Sequence, residues 1–208
     1  MKPQAKPNLF PMWIGVIIAA VFWTLNFGFK VGNFWLLMVL ATVVLGAWGL
    51  VYNPGMLRTE RRLVIIMICG ISAAVVLYGV FLLGKTATQW LDFQDRQLAS
   101  IYQTREQAPL WLISILLIFI IAPGEEIFWR GLVQSKLERS WGGGIGYLTA
   151  ALLYTLVHLP SLNLMLIGAA AVCGIFWGAL YRLTGSIWPG IISHSLWDAA
   201  AFVWMPLS

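Results

Sequence analysis

Charge is what this chain has least of. Asp, Glu, Lys and Arg make up 10% of its 208 residues, against about 25% in a soluble domain. Meanwhile 60% of the residues are hydrophobic and the mean hydropathy is +0.83. That shortage excludes an ordinary water-soluble globule and points to the bilayer as the surrounding medium. Cysteine is nearly missing: Cys69 and Cys173 each stand in the middle of an apolar run. They match no redox or metal-ligand spacing, so a disulfide scaffold is excluded and both read as packing residues. A basic face is lacking too. The net charge of +5 comes from 13 Lys and Arg spread mostly through short segments between apolar runs, which fits membrane topology and gives nucleic acid nothing to follow. Neither a repeat, a low-complexity stretch nor a folded soluble domain breaks the pattern.

What remains is a series of seven apolar segments, at residues 11–29, 34–51, 63–83, 110–128, 145–157, 162–181 and 187–203. Most approach the roughly 20 residues that a spanning helix needs, and the fifth is short. The expected fold is all-α, a polytopic membrane helix bundle of about seven transmembrane helices, multi-pass in the lipid bilayer of the cell membrane. Lys2 and Lys6 ahead of the first run give it the outline of a signal peptide. The run lacks a small-residue cleavage site, so it is expected to stay as the first span.

With the N-terminus inside, the cytoplasmic segments hold Lys2, Lys6, Arg58, Arg61, Arg62, Arg130, Lys136, Arg139 and Arg182, against Lys30, Lys85, Arg96 and Arg105 outside. The excess survives if Arg130 is counted as intramembrane, and it favours a cytoplasmic N-terminus and an outer C-terminus. Residues 84–109 form the one long polar connection, read as an interfacial helix with Trp90 and Phe93 at headgroup depth, as a plain loop, or as a lip over a site. The chain then divides into N-terminal helices with this connection, 1–109, and a C-terminal helical core, 110–208. The glycines at 142–144 mark a turn.

A charged side chain at the bilayer centre costs roughly 2.5 to 3.5 kcal/mol on insertion scales, so the polar residues inside the runs need a reason. Glu60, Asp92, Asp95, Glu106 and Glu138 fall in connections or at helix ends. Glu125, Glu126 and Asp198 lie within apolar runs, and both histidines, His158 and His194, lie in or beside them. All belong to three short motifs. In "EEIFWR", Glu126 and Arg130 are four apart on one helix face and can pair, while Glu125 points about 100° away with no partner in its own helix. Pro123 and Gly124 loosen the helix just there. In "YTLVH", Tyr154 and His158 share a face, and in "HSLWD", His194 and Asp198 do. Three helices turning such patches inward would enclose a polar pocket.

Each piece also has a plainer reading: an ion pair that pins the fourth helix, interhelical histidine hydrogen bonds, a tyrosine that only packs. Trp111, Trp188 and Trp204 read as belt or packing residues. Taken together, a carboxylate with an imidazole can activate water, and a second imidazole with a hydrogen-bonding neighbour can stabilise an oxyanion. That suffices for peptide hydrolysis without a covalent nucleophile. Ser193 and Ser195 flank His194 but point different ways on a helix, so spacing makes neither a nucleophile. Two histidines and a carboxylate equally suit zinc, although the sequence has no HExxH.

In this order, "EEIFWRG", "YTLVH" and "HSLWD" resemble the EExxxR, FxxxH and Hxxx(N/D) signatures of the CPBP intramembrane proteases, also called the CAAX prenyl protease 2 or Abi family. The resemblance covers roughly residues 110–205. It implies an intramembrane endopeptidase acting on membrane-tethered proteins or peptides. Glu125 would be the water-activating base, assisted by His158. His194 and Asp198 would bind the oxyanion or orient the site, and Glu126 with Arg130 would be the supporting pair. Tyr154 stands where the family usually has Phe, which adds a hydroxyl. Asp198 stands where some members have Asn, so an oxyanion role needs it neutral or acting through His194. The family is described both as glutamate-type and as metal-dependent; the glutamate type without a cofactor is expected here, with zinc as the alternative.

Simple counting puts His158 near the outer end of its segment and Glu125 deeper, so the helices must tilt, or the fifth segment start later, for the two to meet. The rivals to a protease are a transporter or proton relay, since buried Glu, His and Asp also mark ion pathways, and a non-enzymatic binder such as a peptide-toxin immunity protein.

Overall fold

The computed structural model describes residues 7–207, and the apolar runs within them are helices, with no strand among the described residues. Lys2 and Lys6, which contribute to the expected cytoplasmic N-terminus, lie outside the described residues. In chain order the helices are α1 (Phe10–Gly28), α2 (Phe34–Tyr52), α3 (Leu63–Ala87), α4 (Gln94–Tyr102), α5 (Leu110–Trp141), α6 (Gly143–Leu156), α7 (Leu164–Thr184) and α8 (Trp188–Ala199, continued by the π turn Ala200–Trp204). Among the described residues, α1, α2, α3, α5 and α7 are long and apolar enough to cross a membrane, five of the expected seven. The other two apolar segments are helices as well, but shorter. The 14 residues of α6 reach roughly 21 Å at 1.5 Å per residue, against a hydrocarbon core of about 30 Å.

The outward faces are made for lipid. Along α1, Phe10, Trp13, Ile17 and Val21 are exposed while Met12, Val16, Ala19 and Trp23 are buried, the three-to-four spacing of a one-sided helix. Most of α3 is exposed apolar surface, including Leu63, Val64, Ile68, Val75 and Leu83. It leans on α8 at Gly70, where a Cβ would come within 2.7 Å of Ile192. So much contiguous apolar surface marks a membrane contact: this is a multi-pass membrane protein.

At the centre runs α5, whose 32 residues extend roughly 48 Å. The sequence reading ended this span at 128. Instead the helix continues, with Arg130, Gln134 and Lys136 buried inside the bundle. Burial is tolerable because each finds an acceptor: Gln134 Nε2 donates to the Gly178 carbonyl at 2.9 Å, and Lys136 Nζ to the Asn8 carbonyl at 3.0 Å.

The winding of α5 widens into π turns at Leu117–Ile121 and Ile127–Gln134, on either side of the single α turn Ala122–Glu126. Pro123 has no N–H and crowds the preceding turn, and wider winding relieves that clash. Gly124 has a separate reason: a Cβ there would lie 2.6 Å from the Thr42 carbonyl oxygen. The α2 backbone therefore lies directly against the turn that carries Glu125 and Glu126.

The long polar connection is a helix, α4, followed by the 3-10 turn Gln103–Gln107. It is fixed to its neighbours. Asn163 Nδ2 donates to the Gln97 carbonyl at 2.9 Å, Asn33 Nδ2 to the Gln107 carbonyl at 2.9 Å, and Trp35 Nε1 to the Thr104 carbonyl at 2.9 Å. Up-and-down traversal gives the bundle two ends. One carries the connections after α1, α3 and α6 and the segment after α8; the other carries those after α2, α5 and α7. The α5 to α6 turn hinges on Gly142, whose φ of +87° only glycine adopts readily.

Candidate active site

Helices α5, α6 and α8 each deliver one motif to the same place. Glu126 is fully buried; its Oε1 accepts from Arg130 Nη1 at 3.0 Å and lies 3.0 Å from His194 Nδ1. Its Oε2 makes no hydrogen bond among the described residues and faces Gly190, where a Cβ would approach to 2.6 Å. The second arm of Arg130 donates from Nη2 to the Cys173 carbonyl at 3.3 Å. Its guanidinium lies between two aromatic faces, 4.9 Å from the Tyr154 ring and 5.6 Å from the Trp177 ring, so cation–π attraction holds a charge that lipid would not. His194 stacks on Trp177 with centroids 3.6 Å apart and planes at 21°. The other ring nitrogen, Nε2, is 3.5 Å from Asp198 Oδ2.

The serines beside His194 are occupied elsewhere. Ser193 Oγ accepts from Trp177 Nε1 at 3.1 Å, and Ser195 Oγ donates to the Ile118 carbonyl at 2.9 Å.

Glu125, buried one residue earlier, has a different neighbourhood. Its Oε2 accepts from the Tyr154 hydroxyl at 3.0 Å. Tyr154 also serves His158, whose Nδ1 is 2.7 Å from the Tyr154 carbonyl oxygen. A carbonyl only accepts, so Nδ1 carries the proton and Nε2 holds the lone pair, which accepts from Trp23 Nε1 at 3.0 Å.

His158 does not sit on a helix face as the spacing suggested. The helix ends at Leu156, and His158 lies in the turn that follows, just before Leu159–Ser161. Pro160 explains the stop, because neither it nor the residue before it suits a continuing helix. The turn folds the imidazole back beneath Tyr154, which is how a residue near the helix end meets one deep in α5.

Glu125, Tyr154, His158, His194 and Asp198 all line one cavity of about 1090 Å³, walled by aromatic side chains such as Phe27, Phe81 and Phe202 and roofed in part by α4 through Leu98, Ile101 and Tyr102. Glu126 and Arg130 stand behind this wall. The seven residues named from the motifs therefore form one connected set, five at the cavity and two in support.

Sequence reasoning missed Trp23, Trp177 and Gly190. The two tryptophans did carry a signal: each lies well inside its span, away from the interfacial belt. A buried indole N–H needs an acceptor, which makes such a residue a pointer to a polar neighbour.

Residues 107–200 match the family model described as type II CAAX prenyl endopeptidase Rce1-like, a stretch that contains all three motifs. No match to a curated protein or to a solved structure accompanies it. With the three motifs in the family's order inside the matched stretch, residues 107–200 are similar to the Rce1-like type II CAAX prenyl endopeptidases of the CPBP family.

Proposed function

We propose that the protein is a glutamate-type intramembrane endopeptidase that cleaves membrane-tethered polypeptides, with Glu125 as the base. The observation that carries this reading is the division between two adjacent carboxylates: Glu126 is directly paired with Arg130 and His194, while Glu125, among the described residues, is hydrogen-bonded by the neutral Tyr154 hydroxyl and lines the cavity. A carboxylate without a counter-charge in a low-dielectric site has the basicity that water activation near neutral pH needs.

In the proposed cycle Glu125 takes a proton from water, and the resulting hydroxide adds to the scissile carbonyl carbon. The oxyanion that forms is met by His194 Nε2–H, which Asp198 holds only loosely at 3.5 Å and which can therefore turn to a better acceptor. Glu126 and Trp177 keep the ring in place from behind. The tetrahedral carbon then expels the amine, which leaves with the proton that Glu125 received. Tyr154 aims Glu125 through its hydroxyl and His158 through its carbonyl, and His158 assists when Nε2 exchanges the indole N–H of Trp23 for the attacking water. Asp198 thus acts through His194, as a carboxylate facing an oxyanion must.

The cofactor-free form of this reading is supported over zinc by how the two imidazoles are engaged. His158 has both ring nitrogens hydrogen-bonded within the protein, and both nitrogens of His194 face carboxylates. Among the described residues no group of three His, Cys, Asp or Glu is arranged to hold a metal. No step above runs through one.

The test is cleavage of a panel of membrane-tethered and lipidated peptides by the purified protein in liposomes, wild type against Glu125→Gln, with and without chelator. Cleavage that is lost in the variant and indifferent to chelator is expected. Chelator sensitivity would move the reading to a metallopeptidase. Equal signals from wild type and variant would reject Glu125 as the base and leave the transporter and the idle binder as the readings to pursue.

A further inference from the structure

The cavity has a direction. Its rim is built from the connections at one end of the bundle: Lys30 and Gly32 after α1, Gln103 and Glu106 after α4, and Asn163 after α6. Gly32, Gln103 and Glu106 are exposed, so the rim is open to water. The opposite end is tied shut by bonds between its connections and the helices around them. Arg61 Nε donates to the Thr184 carbonyl, Asn53 Nδ2 to the Gly131 carbonyl at 2.6 Å, and Trp188 Nε1 to the Leu57 carbonyl at 2.9 Å. Among the described residues, none from the connections at that end lines the cavity.

The two ends also differ in charge. At the shut end are Arg58, Arg61, Arg62, Lys136, Arg139 and Arg182, with Glu60 and Glu138 as the acidic residues. Lys2 and Lys6 precede α1 in the sequence. The open end has Lys30, Lys85, Arg96 and Arg105 with Asp92, Asp95 and Glu106, so its charges nearly cancel. Lys and Arg near span ends are retained on the cytoplasmic side, and acidic residues count little. The shut end is then the cytoplasmic one.

Building on the protease reading, we infer that the cavity opens to the non-cytoplasmic side of the membrane, and that its substrates are the extracytoplasmic segments of membrane-anchored polypeptides. A cytoplasmic tail would have to pass the tied end to reach Glu125. A chain leaving the outer membrane surface enters over the near-neutral rim and lays its apolar residues on the aromatic wall, which suits an uncharged extended segment better than a strongly charged one.

The test separates the direction of the opening from the activity. In a Cys69→Ala, Cys173→Ala background, Gln103→Cys at the rim and Thr59→Cys at the shut end are labelled with a membrane-impermeant maleimide in intact cells and in inverted membrane vesicles. Labelling of Gln103→Cys in intact cells and of Thr59→Cys only in inverted vesicles is expected; the reverse pattern overturns the inference, whatever the protein catalyses. Right-side-out and inverted vesicles carrying the wild-type chain are then given the same impermeant peptides. Cleavage confined to right-side-out vesicles is expected, and cleavage confined to inverted vesicles overturns the inference. With the expected labelling, no cleavage from either side would count against the protease reading and leave the direction of the opening standing.

Discussion

Around Glu126 every charge is answered inside the protein, by Arg130 at 3.0 Å, by His194 at 3.0 Å and by the aromatic faces that enclose the guanidinium. Glu125, among the described residues, has no direct ion pair: a neutral donor, Tyr154, bonds it and a cavity lies in front of it. The two side chains diverge by about 100° of helix rotation. That rotation separates a group that ties α5 to α8 from a group that faces the cavity. The comparison shows why a single "EE" suffices: one carboxylate anchors the arginine and the imidazole, so its neighbour needs no fixed counter-charge.

The largest effect expected on this contrast comes from Glu125→Gln. Cleavage in liposomes should fall about 10²- to 10⁴-fold, the range for losing a general base, while thermal unfolding in detergent stays near the wild-type midpoint. A variant that unfolded instead would give Glu125 the anchoring role assigned to Glu126. Next is Arg130→Met, which strands the Glu126 charge in a dry interior. Breaking one partner of such a buried pair costs about 3 to 5 kcal/mol, readable as a lowered unfolding midpoint, and adding Glu126→Gln should recover part of it. If Arg130→Met lost cleavage with stability intact, the anchor would belong to the chemistry.

Tyr154→Phe sharpens the other side by removing the hydroxyl that aims Glu125. A hydrogen bond to a charged group is worth about 1.5 to 3 kcal/mol, so cleavage should drop roughly ten- to a hundredfold with little change in stability. Smallest is Trp23→Phe, which keeps an aromatic ring and deletes the N–H that occupies His158 Nε2. The freed nitrogen should react several-fold faster with diethyl pyrocarbonate, followed by mass spectrometry. Unchanged reactivity would mean that the indole does not control that nitrogen.

Much of this site was legible from the chain. A helix period and an intolerance of charge in lipid were enough to isolate Glu125, Glu126, Arg130, His158, His194 and Asp198 and to pair Glu126 with Arg130. What escaped depends on partners distant in sequence. The extension of α5 through Arg130 to Trp141 looked like the end of a span because its polar residues are satisfied by Gly178 and Asn8, which no local pattern discloses. The same holds for Trp23, which reaches His158 across 135 positions. The turn that carries His158 has a local cause: the spacing to Tyr154 predicts a helix, and Pro160 ends it first. The connection before α5 read most simply as a loop, yet α4 helps wall the cavity, since its amphipathic face needs α7 beside it to become a wall.

The four-residue spacing of Glu126 and Arg130 also bears on how the protein is made. Emerging from the ribosome, α5 must enter the membrane with both charges aboard, while His194 follows 68 positions after Glu126. At roughly 5 to 20 residues per second that interval is on the order of several seconds. During it the arginine is the one partner that Glu126 has within its own helix, so the pair serves as a built-in escort that lets this span wait in lipid for the helices that complete it.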